Sequence, residues 1–403
     1  MNKATAAFIS QHADADVRQL ALQGTKDPEV DLLFALDQIA GRQTARHKLP
    51  TWAATEGIVY PPHLSMEQCS SEQTARYKQR LVQRLVNGGL TDSRLVDLTG
   101  GFGVDFSWMA RSFSRAVYVE RQEHLCNIAK ENFRLLELTQ AEVVCADSMD
   151  YLKSMTPIDI IYMDPARRDS HGSRTYALSD CTPDVLTLRD LLLQKARNVV
   201  LKLSPMLDWR KAVSDIGETC VSEVHIVSVN NECKELLLVL GQDCGNRLVC
   251  VNDDAVFEVE DGFGREYRER EGCGIDRIDE FNGINGYLYE PNASIMKAGC
   301  FAELSQRFAV APVAANSHLF VSAGFVDNFP GRIFVIDAVT SLNKRELKQH
   351  LQGLTKANIT VRNFPLTVAE LRKRLKLSEG GSTYLFATTL ASGEHVLIVC
   401  HKP

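Results

Sequence analysis

No stretch of this 403-residue chain approaches the roughly 18 apolar residues of a membrane-spanning helix. Met1–His12 carries no apolar run of the length a secretory signal needs. Both absences give the expectation of a cytoplasmic protein with no membrane partner. The eleven cysteines include no C-x-x-C pair and are odd in number. That reads as reduced thiols, neither a disulfide framework nor a zinc site. The ten histidines form no H-x-x-x-H pattern, so no metal is expected. Two nucleotide fingerprints are missing as well. Counted from Gly101, the third small position of G-x-G-x-x-G falls on Phe106, and no G-K-[ST] closes a phosphate loop.

What is present is a glycine turn set among acids. Arg94–Leu98 reads as a short apolar strand running into Asp97-Leu98-Thr99-Gly100-Gly101-Phe102-Gly103, with Asp105 just beyond. Glycines there allow a tight turn and close approach of a ligand to backbone N–H groups at a helix start. The next strand, Ala116–Val119, ends in Glu120, 23 residues after Asp97. An acid at that place can accept hydrogen bonds from both ribose hydroxyls of an adenosine. A third strand, Glu142–Cys145, ends in Asp147-Ser148, placed to meet an adenine amino edge. A fourth, Asp159–Met163, ends in Asp164-Pro165-Ala166-Arg167-Arg168, and a fifth, Asn198–Leu203, in Ser204-Pro205. Helix-like sequence separates successive strands, which predicts a parallel sheet with ligands at the strand C-termini. Glu223–Val229 and Glu235–Leu240 then predict a closing hairpin around Asn230–Lys234, a feature foreign to dinucleotide domains.

In that order these features resemble the class I S-adenosylmethionine (SAM)-dependent methyltransferases, over about residues 90–242. The resemblance implies an α/β fold with a Rossmann-like seven-stranded sheet in the order 3-2-1-4-5-7-6. It implies SAM as cofactor and S-adenosylhomocysteine as product. It assigns the cofactor to Asp97, Thr99, Gly100, Gly101, Gly103, Asp105, Glu120, Asp147 and Ser148, with Asp97 and Asp105 near the SAM ammonium. Asp164-Pro165-Ala166-Arg167 stands where amino-methylating members carry [D/N]-P-P-[Y/F/W]. Asp164 and Pro165 are kept, whereas Ala166 and Arg167 depart from the pattern. A guanidinium can stack on a base or hold a phosphate. Catalysis is therefore expected at Asp164, Pro165 and Arg167, with Arg168 as a substrate contact; Asn230 and Asn231 read equally as substrate contacts or as a plain hairpin turn. Carbon-methylating RNA enzymes with D-P-P-R need a nucleophilic cysteine. Cys181 lies 17 residues past Asp164, has no supporting signature and reads as an ordinary buried thiol.

The flanks add three segments. Residues 1–88 read as a helical extension: Leu32, Leu33, Leu36 and Ile39 recur at helical spacing. Ser70 with Gln73 suggests a capping box opening a helix over Glu72–Val86. The basic tract Gly41–Trp52 is a candidate substrate contact. After the methyltransferase segment (89–242), residues 243–330 read as acidic and strand-rich, with strands expected at Arg247–Asn252, Ala255–Glu260 and Tyr287–Gly299. Residues 331–403 read as an α+β module. The net charge of −6 conceals a division. Gly331–Pro403 holds 11 Lys/Arg against 5 Asp/Glu, or +6, so the other 330 residues carry −12. Arg372-Lys373-Arg374, in a helix expected at Thr367–Leu375, is a basic cluster suited to a polyanion, or a solvated face.

Tyr287-Leu288-Tyr289-Glu290-Pro291-Asn292, Val361-Arg362-Asn363-Phe364-Pro365 and Gly381-Ser382-Thr383-Tyr384-Leu385-Phe386-Ala387 extend the likeness. The whole chain resembles a bacterial class I methyltransferase family with a helical N-terminal extension, a ferredoxin-like insert and a C-terminal THUMP-like domain. That resemblance implies an RNA partner. The expected function is SAM-dependent methylation of a base nitrogen in tRNA or rRNA, with Arg372, Lys373 and Arg374 docking the RNA. Methylation of a protein or small molecule, and a non-catalytic SAM-binding role, stay open from the residues alone.

Overall fold

A computed structural model describes residues 1–86, 92–167, 178–241, 245–263 and 286–403. They form two units, Met1–Val224 with Lys234–Gly245 and His225–Cys233 with Asn246–Pro403.

The first unit opens with six helices: α1 (Lys3–Gln11), α2 (Val17–Gln23), α3 (Leu32–Lys48), α4 (Pro50–Ala54), α5 (His63–Gln68) and α6 (Glu72–Leu85). Short polar side chains set four of the starts. Asn2, Asp16, Asp31 and Ser71 accept the N–H of Thr5, Gln19, Phe34 and Thr74, satisfying donors a helix start leaves free. The cap of α6 is thus Ser71 and not Ser70, whose hydroxyl has another partner described below. Several side chains of the tract Gly41–Trp52 pack within the protein. Lys48 Nζ donates to the carbonyls of Met66 (2.9 Å) and Glu67 (2.7 Å). Arg46 pairs with Asp14, and the buried Trp52 ring meets Phe102 edge-on at 4.8 Å.

The α/β part follows: β1 (Arg94–Asp97), α7 (Val104–Met109), β2 (Arg115–Glu120), α8 (Glu123–Leu135), β3 (Ala141–Cys145), α9 (Ser148–Ser154), β4 (Ile158–Met163), α10 (Val185–Lys195), β5 (Ala196–Leu203), α11 (Trp209–Ile216), β6 (Val221–Val229) and β7 (Glu232–Gly241). The strand order is β3-β2-β1-β4-β5-β7-β6. The first five are parallel, and β7 runs antiparallel to β5. Central strands covered on both faces read as unbroken apolar runs. Ile160–Met163 and Val199–Leu201 accordingly are all buried.

β6 passes the division between the units. In the second unit its far half neighbours β8 (Arg247–Asn252), with β9 (Ala255–Val259) beyond. The β6–β7 turn is only Asn230-Asn231, both left-handed at φ 52° and 60°, the backbone that a two-residue hairpin turn favours and that Asn tolerates. A second, seven-stranded sheet contains β10 (Tyr287–Pro291), β11 (Ala311–Pro312), β12 (Phe320–Ser322), β13 (Gly331–Ser341), β14 (Asn358–Arg362), β15 (Thr383–Thr389) and β16 (His395–His401), in the order β11-β12-β10-β13-β16-β15-β14. Helices α12 (Ala293–Ala298), α13 (Phe301–Phe308), α14 (Lys344–Leu351) and α15 (Val368–Leu375) belong to the same unit. The strand expected over Tyr287–Gly299 stops at Pro291. The Asn292 side chain accepts the N–H of Ile295 and turns the rest into α12.

Candidate active site

The parallel strands of the first unit deliver their C-terminal residues to one edge. Asp97 ends β1, Glu120 ends β2, Asp147 follows β3, Asp164 follows β4 and Lys202 lies near the end of β5. The glycine turn rests on an aromatic floor of Phe106, Tyr118 and Phe133, with centroids 5.0–5.6 Å apart. That floor explains two of the glycines. A Cβ on Gly100 would stand 2.2 Å from the Tyr118 ring, and one on Gly103, at φ +85°, would stand 2.8 Å from Phe133. The Gly101 N–H donates to Glu120 Oε2 at 3.0 Å, and the Gln122 N–H donates to Oε1 at 2.9 Å. The acid after β2 is thereby tied to the turn.

Asp97 is almost wholly buried, and its Oδ1 accepts the N–H (2.9 Å) and hydroxyl (3.3 Å) of Thr99. Burial pushes its carboxyl up to about 8, with Asp105 and Asp164 adding repulsion. Asp147 is exposed, and its Oδ1 caps α9 through the N–H groups of Met149 and Asp150. Ser148 is the first residue of that helix. Asp164 is anchored twice. Its N–H donates to Thr99 Oγ1 at 2.6 Å, and Lys202 Nζ donates to its Oδ2 at 2.6 Å. Its side chain is 39% exposed, so a ligand can reach it. Pro165 is buried behind it. The backbone of Arg167 pairs with that of Cys181, a buried thiol. The Arg167 side chain and all of Arg168 lie outside the described residues.

Asp105, expected beside the SAM ammonium, has protein partners instead. Its Oδ2 accepts the hydroxyls of Ser70 and Tyr162, each at 2.8 Å, and Lys78 Nζ lies 3.1 Å from Oδ1. Burial alone would raise the Asp105 carboxyl, but Lys78 and Lys202 hold it below the ordinary range. Lys78 has no exposed surface and closes on Glu235 of β7 at 2.7 and 2.6 Å. Burial raises the Glu235 carboxyl against that pull. Burial would likewise discharge Lys202, yet Asp164, Asp105 and Glu235 keep its ammonium protonated above the usual lysine range. The sequence reading missed Lys78 and Glu235. A signal for Lys78 was there: it falls in the buried stripe Thr74, Ala75, Lys78, Leu81 and Val82 of α6, where a cation needs a partner.

Asn230, Asn231 and the basic cluster belong to the second unit. Asn231 Oδ1 accepts the Ala293 N–H at 2.8 Å, and the N–H of Asn230 donates to Asp253 at 2.9 Å. These contacts hold the pair in the hairpin turn that the sequence equally allowed. On α15, Arg372 and Lys373 line an open groove of about 710 Å³ with Lys376, Thr355 and Ser378, and Arg374 is not among its lining residues. Among the described residues no group of three or more His, Cys, Asp or Glu is placed to hold a metal ion, and no helix is long and apolar enough to cross a membrane.

Comparison with known proteins decides the family. Residues 287–330 match a family described as a ferredoxin-like domain, and residues 331–402 one described as THUMP domain-like. No curated protein matches the sequence. The crystal structure of an inferred methyltransferase from Porphyromonas gingivalis W83 matches over 99% of this chain and 97% of that one, at 31% identity and a TM-score of 0.85. This chain belongs to that bacterial class I methyltransferase family. It is accordingly a methyltransferase, with ferredoxin-like and THUMP-like segments after the methyltransferase fold. A SAM-dependent methyltransferase from Agrobacterium tumefaciens overlaps 43% of this chain and 62% of its own at 20% identity, with a TM-score of 0.32.

Proposed function

We propose that this methyltransferase transfers the SAM methyl group to a base nitrogen of tRNA or rRNA. The observation that carries the reading is Asp164, held at the end of β4 by Thr99 and Lys202 yet open to a ligand. When bound, SAM supplies a methyl group on a sulfonium. The residues present suit it. Asp97 is a buried acid that accepts from Thr99, and at a pKa of about 8 it is uncharged near neutral pH. A cation beside it restores the carboxylate and releases a proton. The N–H groups of Gly100, Gly101 and Gly103 are taken by Val119, Glu120 and Gly100, so the turn offers the cofactor close backbone approach, and the start of α7 suits its carboxylate. Glu120 suits the ribose, and Asp147 with Ser148 the adenine edge. Asp164 orients the acceptor amine for in-line attack, Pro165 fixes the backbone behind it, and Arg167 packs on the base or a phosphate.

The RNA body is assigned to the groove on α15. Arg372, Lys373 and Lys376 give it three cations in a segment of +6, which favours a polyanion. Each phosphate contact adds about 0.7–0.9 to the slope of log affinity against log salt. Changing all three residues to Gln is therefore expected to weaken tRNA binding and flatten that slope by about 2. Arg374→Gln, off the groove, should leave the slope as it is. An unchanged slope in the triple variant would remove the groove as the docking surface.

A further inference from the structure

The buried charge network beneath Asp164 has a consequence for the reaction, resting on the reading of Asp164 just given. We propose that Lys202 is a positioning residue for methyl transfer, fixing the Asp164 carboxylate, and that helix α6 supports this task through Lys78 and Asp105.

β5 lies beside β4 with Leu201 opposite Met163, so Lys202 follows on as the neighbour of Asp164. An Asp carboxylate turns about a broad, roughly two-fold torsion and has no preferred orientation of its own. To present one oxygen to an acceptor amine it needs a fixed partner on the other. Lys202 Nζ, on a side chain only 13% exposed, supplies a charge-assisted hydrogen bond of 2.6 Å to Oδ2. Lys202 is steadied in turn: its Nζ is 3.7 Å from Asp105 Oδ2, the atom that also takes the Ser70 and Tyr162 hydroxyls. Behind Asp105 stands Lys78, locked onto Glu235. The helical extension thus reaches the catalytic acid through a chain of side chains, all inside the first unit. The chain also balances charge. Asp97 of β1 repels Asp105 and Asp164, while two ammonium groups, Lys78 and Lys202, hold Asp105 of α7 and Glu235 of β7 together.

The test uses the full chain with labelled SAM and total RNA from a strain lacking the gene. Lys202→Met is expected to lower kcat about 100-fold, the scale of a misplaced reacting group, with the SAM dissociation constant unchanged. In an Asp164→Asn background the same change should cost less than about 3-fold, because residues acting through one another are not additive. A crystal structure of Lys202→Met should show the Asp164 carboxylate rotated from its present position, a readout that needs no acceptor. Wild-type kcat in Lys202→Met, the full loss repeated in the Asp164→Asn background, or an unmoved carboxylate would each overturn the proposal. Full activity of Asp164→Asn and Asp164→Ala would instead overturn the reading of Asp164, so the two failures are told apart.

Discussion

Asp164→Ala is expected to lower methyl transfer by about 10³-fold while SAM still binds. The estimate follows the 10²–10³ lost when one preorganised polar group is removed from a reacting centre, at its upper end because nothing among the described residues duplicates the position. Asp97, the nearest acid on β1, is buried and engaged by Thr99. Asp105 is engaged by Ser70, Tyr162 and Lys78. SAM affinity is expected to survive because the turn, Asp97 and Glu120 are untouched. Transfer assays with labelled SAM and equilibrium dialysis of SAM separate the two quantities. A variant that transfers at the wild-type rate would take Asp164 out of the reaction.

Lys78→Met carries the largest expected stability effect. Lys78 is the buried counter-ion of Glu235 and Asp105. Removing one partner of a buried pair strands a charge, at about 3–5 kcal/mol. For a unit of this size that corresponds to a fall in Tm of about 6–20 °C. Asp105 keeps Ser70, Tyr162 and Lys202, so the stranded group is chiefly Glu235. Adding Glu235→Leu to Lys78→Met should therefore recover most of the loss, because an apolar pair of similar volume replaces the ions without a desolvation cost. Scanning calorimetry of Lys78→Met, Glu235→Leu and the double variant decides it. A double variant as unstable as the sum of its parts would mean that Lys78 stabilises through packing and not through its charge.

The fold of the first unit was legible because its signals are local. A glycine turn between a short apolar strand and a helix, followed by acids at regular strand ends, needs no knowledge of what lies opposite. The residues placed at the parallel-strand edge, Asp97, Glu120, Asp147 and Asp164, were named for that reason. The buried network was not legible. Lys78 meets Glu235 across 157 positions of sequence, and nothing in either segment names the other. Asp105 was read as a cofactor residue because it lies two residues past the turn. Its environment is set by Ser70 and Tyr162, 35 and 57 positions away. The same limit explains Ser70 itself: its spacing from Gln73 suits a cap, but the pull of Asp105 leaves the cap to Ser71. Asn230 and Asn231 read equally as substrate contacts or as a turn from their strand-end position, and their left-handed backbone and the Ala293 contact hold them in the turn. In the basic cluster, consecutive numbering suggested Arg374. Lys376 lies just past the end of α15, where the chain turns through a left-handed backbone at φ 57°, and it joins the groove in its stead.

The central claim is methyl transfer from SAM to RNA. The most direct measurement gives the purified protein labelled SAM together with tRNA, rRNA, DNA or protein extract from a strain lacking the gene, with Asp164→Ala in parallel. Label in one RNA class, absent with the variant, is the predicted result. Label in protein extract or small molecules with none in any RNA would contradict it.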